Sequence, residues 1–406
     1  MKGTIFAGTF AGIVLKRNCQ AADGPADVKV RLTGRLTEVN KTRYWRARHS
    51  ALGNNIPLCI EVLGIPKLSK HQKQMKLLVV IVNYRVADLT IDCLRSIAAE
   101  INSVPDTRVA VCENGTGDDS AGRIQKAITD NDWTSWCELT AVSPNLGFTG
   151  GNNVILRPAL QSADPPQYFL LLNADTIVRP NAFRALVDFM DAHPKVGIAG
   201  SAQEFPDGKT HRSAFRFPTP LSEFEGNLKL GLMSRVLANW VTAPPNPDQT
   251  CEIDWTSGAS MIIRQEVLHD IGVLDEGYYT HYEDVDFCFN ARKVGWPTWY
   301  VPASLIMHIA GQSTGITVKN PKRHPPYFFE ARRRYFLKNH GPAYAAMADV
   351  GFIIGLALWR LRVALTGKED STAPFLLRDS IRHSVFVTGF KLRDVQNPAL
   401  SPPVAS

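Results

Sequence analysis

YFLLLNADT, residues 168–176, runs from five consecutive apolar or aromatic side chains into Asn173, Ala174 and Asp175. A Pro-Pro break at 165 and 166 precedes it. An uninterrupted apolar run of this length, bounded by breakers, predicts an internal strand covered on both faces. The carboxylate of Asp175 then stands at the strand's carboxyl end, the edge of an open α/β sheet at which ligands bind, and an Asp there suits a divalent cation held against a pyrophosphate. A second reading stays open: Asp175 or Thr176 caps a helix that begins near Pro180 and continues through Phe183, Leu186, Val187 and Met190.

Working outward from this strand, the pattern alternates. Strands are predicted over 77–82, 108–112, 138–142, 168–173 and 196–200, with helices over 88–100, 119–130, 151–162 and 181–193 between them. Such alternation predicts a mostly parallel sheet with helices on both faces. Proline-rich loops at 215–220 and 243–248 loosen the spacing before a strand near 259–263 and another from Thr298 to Val301 that turns at Pro302. Upstream, residues 1–74 carry no periodicity and basic polar patches around Arg43–His49 and Lys67–Lys73, so they read as a poorly structured extension.

The chain has 406 residues, 45% of them hydrophobic and 20% charged, enough to bury one large core or two modest ones. Its formal charge of +7 suits an anionic ligand or lipid surface. Nucleic acid is not expected, because no basic run is interleaved with aromatics. Seven cysteines are scattered without a C-x-x-C pair, which indicates neither a zinc site nor a disulfide framework and fits a reducing cytoplasm. No apolar run reaches the length of a spanning helix.

Three further groups bear chemistry. Glu283, Asp284 and Asp286 crowd the first turn of a predicted helix; its dipole favours any one of them, but three among aromatic neighbours point to cation binding or proton abstraction. His308 offers an imidazole that, with Asp175, makes a plausible two-residue cation clamp. The loop NLGFTGGNN, 145–153, brings glycines to a helix start, where backbone N–H groups approach phosphate or ribose. It is not G-x-G-x-x-G and does not follow the first strand, which argues against a nicotinamide dehydrogenase.

In order along the chain, VNY at 82–84, ENGT at 113–116, NLGFTGGNN at 145–153, LNADT at 172–176, WTSGA at 255–259, YEDVD at 282–286 and H-x-x-G-x-S at 308–313 make a sequence that resembles the family 2 inverting glycosyltransferases of the GT-A fold, in particular a rhamnosyltransferase-like branch. The resemblance implies a Rossmann-like, mostly parallel central sheet flanked by helices, a catalytic domain over 75–320 and a helical C-terminal region over 321–406. It also implies transfer of a sugar, dTDP-rhamnose ahead of UDP and GDP sugars, from a nucleotide diphosphate donor to a glycan or lipid-linked acceptor in cell-surface polysaccharide biosynthesis, with inversion.

Carried over residue by residue, the resemblance makes Asp284 the base, with Glu283 its alternative, and has Asp175 and His308 hold Mg²⁺ or Mn²⁺ on the diphosphate. Asn83, Glu113, Asn145, Gly147, Gly150, Gly151, Asn152 and Asn173 would bind the donor, and Trp255, Ser257 and Gly258 the acceptor side. Glu113 stands where the family usually has an Asp that contacts the base, and Asn173 replaces a carboxylate. Two competing readings are a sugar-nucleotide pyrophosphorylase, which needs a Gly- and Arg-rich loop that NYRVADLT lacks, and a catalytically silent glycan-binding protein.

Beyond the motifs, Arg332–Arg334 and Lys338 form a basic cluster before the apolar run Val350–Trp359, which Arg360 and Arg362 follow. This predicts a helix lying on the inner face of the cytoplasmic membrane, with a terminal helix packed on the protein as the alternative.

Overall fold

The computed structural model describes residues 13–15, 36–39, 42–46, 59–62, 75–312, 322–367, 369–370 and 372–392. The chain divides into two units, Met1–Lys73 and Gln74–Ser406. The first was expected to be poorly structured, a reading that falls mostly outside the described residues. Four short strands are described in it, β1 (Ile13–Leu15), β2 (Leu36–Val39), β3 (Thr42–Arg46) and β4 (Cys59–Val62), paired antiparallel in the order β1-β4-β3-β2.

The second unit begins with the expected alternation: β5 (Leu77–Asn83), α1 (Ala87–Glu100), β6 (Thr107–Asn114), α2 (Ser120–Asp130), β7 (Cys137–Val142), α3 (Gly147–Leu160) and β8 (Tyr168–Asn173). It continues through β9 (Thr176–Val178), α4 (Ala182–Ala192), β10 (Ile198–Glu204), β11 (Thr210–His211), α5 (Pro220–Leu228), α6 (Gly231–Val236), β12 (Cys251–Ile253), β13 (Ser260–Arg264), α7 (Gln265–Ile271), α8 (Glu283–Lys293) and β14 (Thr298–His308). Helices α9 (Pro326–His340), α10 (Pro342–Thr366), α11 (Leu376–Arg382) and α12 (Val385–Thr388) complete it.

The main sheet runs β12-β14-β10-β13-β8-β5-β6-β7. Strands β8, β5, β6 and β7 are mutually parallel, as are β10 and β14, while β13 is antiparallel to both β8 and β10. The continuous apolar runs follow from burial on both faces. Leu77, Val79 and Ile81 of β5 and Leu170 and Leu172 of β8 pack with α1, α2 and α4; Leu78, Val80, Phe169 and Leu171 point the other way, towards α3, α7 and α8. Each such Leu or Ile contributes roughly 1.5–3 kcal/mol by leaving water.

Three boundaries depart from the sequence reading. Helix α3 starts at Gly147 rather than 151, so Gly150 and Gly151 lie inside the helix instead of in a phosphate loop. A Cβ on Gly151 would sit 2.8 Å from Val82 Cγ1, so the residue is small because α3 packs tightly on β5. The strand from Thr298 passes through Pro302 and ends at His308, because its pairing with β10 slips between Ser201↔Val301 and Ala202↔Leu305 and leaves the intervening residues as a bulge. Thr176 enters β9, which pairs with β14, and Asn181 occupies the cap position of α4, so neither Asp175 nor Thr176 caps that helix.

The C-terminal helices also correct an expectation. Arg332 and Arg333, read as membrane-facing charges, are buried. Arg332 bridges Glu223 of α5 and Asp349 of α10, and Arg333 donates to the carbonyls of Gly389 and Lys391. Arg334 pairs with Asp275 at 3.0 Å and Arg360 with Asp370 at 3.0 Å. The cluster is therefore a set of internal staples. Helix α10 buries Ala345, Ala348, Phe352 and Leu356, and the absence of a Cβ at Gly351 and Gly355 lets it cross α5 in backbone contact. Its other face exposes Met347, Val350, Ile354, Leu358, Leu361 and Leu365. No helix among the described residues is long and apolar enough to cross a membrane.

Candidate active site

The chain passes from β5 through β6 and β7 on one side of β5 and returns to β8 on the other, so a crevice opens outside the carboxyl ends of β5 and β8. A cleft of about 560 Å³ lies there. Tyr84, which follows β5, Asn114, which ends β6, and Asn173–Asp175, at and after the end of β8, form part of its wall.

On one side of the cleft Asp175 Oδ1 lies 3.3 Å from His308 Nε2. The β9–β14 pairing sets this, because it aligns Thr176 with His308 and lets Ile309 N donate to the carbonyl of Asp175. Asn173 Nδ2 is also 3.3 Å from His308 Nε2. The opposite ring nitrogen, Nδ1, meets Gln203 Oε1 at 3.1 Å, and the same oxygen takes His211 Nδ1 at 3.1 Å. Burial, then the neighbouring His308, pushes the His211 imidazolium down to about 4, so His211 is neutral at physiological pH.

The acid pair enters from α8. Its start is held by two consecutive non-glycine residues in left-handed conformation, His281 at φ 70° and Tyr282 at φ 65°, a cost tolerated where the surrounding packing fixes it. Asp284 Oδ1 accepts from Val285 N at 2.8 Å, and Oδ2 from Gly258 N at 3.4 Å. Burial raises the Asp284 carboxyl to about 6, in spite of those two N–H groups, which favour its charged form. Glu283 is raised well above the usual carboxylate range by burial and then by the charge of Asp284. Its Oε2 is buried and meets no partner among the described residues. Burial thus acts on both carboxyls in the same direction, and only Asp284 has two backbone N–H groups that favour its charged form.

The structure brings Asp175, His308, Glu283, Asp284, Asn145, Gly147, Asn173, Ser257 and Gly258 to the cleft wall. It puts six other expected residues elsewhere. Asn83 is fully buried, with Oδ1 accepting from Thr90. Glu113 is buried at the end of β6, where Oε1 accepts from Thr116 N. Gly150, Gly151 and Asn152 lie within α3, Asn152 donating to the carbonyl of Phe148. Trp255 stacks on Phe215 at 4.2 Å and donates to the carbonyl of Arg216.

Sequence reasoning missed Asn114, whose Nδ2 donates to Asn145 Oδ1 at 3.0 Å and to the carbonyl of Gly147 at 2.8 Å while its Oδ1 accepts from Leu146 N. It thereby fixes the entry to α3, and its place in ENGT was the available signal. It also missed His324, Tyr327 and Phe328, which reach the cleft from the start of α9. Nothing in their spacing announces this, since only the fold returns α9 to the site.

Acids and an imidazole pair at a strand-end crevice agree with the relationships found by sequence. The pattern of the glycosyltransferase like family 2 matches residues 74–324. The chain belongs to this family. Among relatives of this family 2 glycosyltransferase is the N-acetylglucosaminyl-diphospho-decaprenol L-rhamnosyltransferase of Mycobacterium tuberculosis, 26% identical over 61% of this chain and 77% of that one. Another is the rhamnosyltransferase WbbL of Escherichia coli, 24% identical over 40% of this chain and 61% of the other. Solved structures with a related backbone include GalNAc-T7 with UDP, GalNAc and Mn²⁺, at TM-score 0.47 and 13% identity over 77% of this chain and 55% of that one. Residues 1–349 of S. aureus TarS in complex with UDP-GlcNAc give TM-score 0.45 and 15% identity over 72% and 76% of the two chains.

Proposed function

We propose that this glycosyltransferase transfers a sugar, rhamnose first among candidates, from a nucleoside diphosphate donor to a hydroxyl of a lipid-linked glycan, with inversion and with a divalent cation on the diphosphate. One observation carries the reading: the Asp175–His308 pair and the Asp284 carboxylate line one cleft, and no Lys or Arg is among the described residues of its wall. A diphosphate entering such a wall meets carboxylates, so a cation has to offset the charge.

Asp175 Oδ1 and His308 Nε2 fit that cation as an oxygen and an imidazole donor. Among the described residues no group of three or more His, Cys, Asp or Glu side chains converges, so phosphate oxygens and water would complete the shell. When bound, the ion would supply electrostatic stabilisation of the departing diphosphate.

The chain's own residues do the rest. Asp284, poised near pH 6, accepts the proton of the attacking hydroxyl as the new bond forms, and Gly258 N–H holds that carboxylate in place. Glu283, its carboxyl held above the usual range by burial and by the charge of Asp284, has an Oε2 that meets no partner among the described residues and is free to hydrogen-bond substrate. Direct displacement by the hydroxyl on the face opposite the diphosphate gives inversion.

The exposed apolar stripe of α10 supports attachment to a membrane surface, where lipid-linked acceptors reside. Met347, Val350, Ile354, Leu358, Leu361 and Leu365 recur every three or four residues and are 42–78% exposed, which makes one long apolar face.

A thermal-shift panel of nucleotide sugars with Mn²⁺ tests the donor reading. A ligand at 100 times its dissociation constant stabilises by about 2.7 kcal/mol, so dTDP-rhamnose should raise the melting temperature only when Mn²⁺ is present. Equal shifts with and without metal would remove the cation from the account.

A further inference from the structure

Gln203 sits in β10 with a side chain that is essentially fully buried, yet it makes three polar contacts that tie the site together. Its Oε1 takes the Nδ1 atoms of His308 and His211, each at 3.1 Å, and its Nε2 donates to Ser257 Oγ at 3.1 Å. An amide oxygen has two lone pairs and accepts only, so both imidazoles present N–H at Nδ1. For His308 this leaves the Nε2 lone pair facing Asp175 Oδ1, 3.3 Å away. The Ser257 contact extends the same frame towards Gly258, whose N–H meets Asp284.

We propose that Gln203 is a positioning residue: it fixes the Nδ1–H tautomer and the ring orientation of His308 so that Nε2 is available to a cation, and it links that imidazole to the Ser257–Gly258 turn beside the base. The inference rests on the proposed function for the cation but not for the tautomer. A ligating imidazole without such a partner is free to rotate and to carry its proton on the ligating nitrogen, and loss of such a partner typically costs 10–100-fold in metal affinity.

The test compares wild type with Gln203→Met, which removes both amide contacts at similar volume, and Gln203→Glu, which keeps an acceptor for the two imidazoles. Two-bond ¹H–¹⁵N correlation spectra of the metal-free proteins report the His308 tautomer, and Mn²⁺ electron paramagnetic resonance in the presence of dTDP reports cation affinity. Circular dichroism confirms that each variant is folded. The expected result is Nδ1–H at His308 in wild type and Gln203→Glu, a mixture or Nε2–H in Gln203→Met, and Mn²⁺ affinity lower by about 10–100-fold in Gln203→Met alone. Nε2–H in the wild type, or an unchanged tautomer in folded Gln203→Met, would overturn the proposal. Because the tautomer is read without metal or substrate, a wild type that fails to bind Mn²⁺ counts against the proposed function, while the His308 spectra still decide the role of Gln203.

Discussion

Gly147 and Tyr279 touch so closely that a Cβ on the glycine would stand 2.3 Å from the tyrosine's carbonyl oxygen. This contact joins the α3 entry loop to the segment that delivers Glu283 and Asp284, and Gly147 also adopts φ 74°. Gly147→Ala therefore meets both a backbone clash and a left-handed conformation. Destabilisation on the order of 1–3 kcal/mol is expected by urea titration, together with loss of both donor binding and transfer. A variant as stable and active as wild type would mean that the two segments move independently.

Asp175→Ala and His308→Ala should each weaken Mn²⁺-dependent donor binding at least tenfold, and the double variant should lose little more than either single one, since both act on one ion. Calorimetry of donor binding with and without Mn²⁺ measures this. Additive losses would place the two residues in separate roles.

Arg332→Met breaks a buried bridge and leaves Glu223 and Asp349 facing each other without a cation. A loss of about 3–5 kcal/mol is expected. The Glu223 carboxyl is raised above its usual range by burial, with Arg332 opposing the rise, so the native state already holds its proton more tightly than the unfolded chain does. Such a group stabilises at low pH and loses that contribution as pH rises through its folded pKa. Removing the arginine enlarges the effect, so the deficit should be greater at pH 8 than at pH 5 in paired denaturation curves.

Changing Ile354, Leu358 and Leu361 together to Gln should release the protein from liposomes while leaving transfer to a water-soluble acceptor intact. Arg332→Met, in contrast, should change stability rather than liposome binding. Sedimentation with anionic and neutral vesicles reads this; equal binding by the triple variant and the wild type would move the contact to another surface.

The alternation of strands and helices was legible because its physics is local. Runs such as Leu77–Val82 and Tyr168–Leu172 are apolar at every position only if both faces are covered, and they announced the sheet. Asp175, Glu283, Asp284 and His308, singled out from their positions at element ends, all line the cleft. The glycines misled: Gly150 and Gly151 looked like a phosphate loop, yet contacts with Leu146 and Val82 show them serving helix packing. Arg332–Arg334 misled in the same way, because charge in sequence does not reveal its partners: Glu223 and Asp275 lie far away along the chain, and Asp349 is on the next helix. Gln203 and the α9 aromatics were invisible because their roles arise only from strand pairing and helix return.

The central claim, that Asp284 is the base of an inverting transfer, is tested most directly by one paired measurement on wild type and Asp284→Asn. Single-turnover transfer from dTDP-rhamnose to an N-acetylglucosaminyl diphosphate lipid would be followed across pH 5–8, with the product anomer read by NMR. The raised carboxyl predicts a wild-type rate that falls as pH drops below about 6, where Asp284 takes up its proton. A folded-state pKa above the unfolded one also means that Asp284 costs stability as pH rises through that window, so Asp284→Asn should melt higher than wild type at pH 8 and lose that advantage towards pH 4. The account predicts an inverted product from wild type and a rate lower by about 10²–10⁴-fold in Asp284→Asn, with donor affinity unchanged. A retained anomer, or near-wild-type turnover by Asp284→Asn, would contradict it.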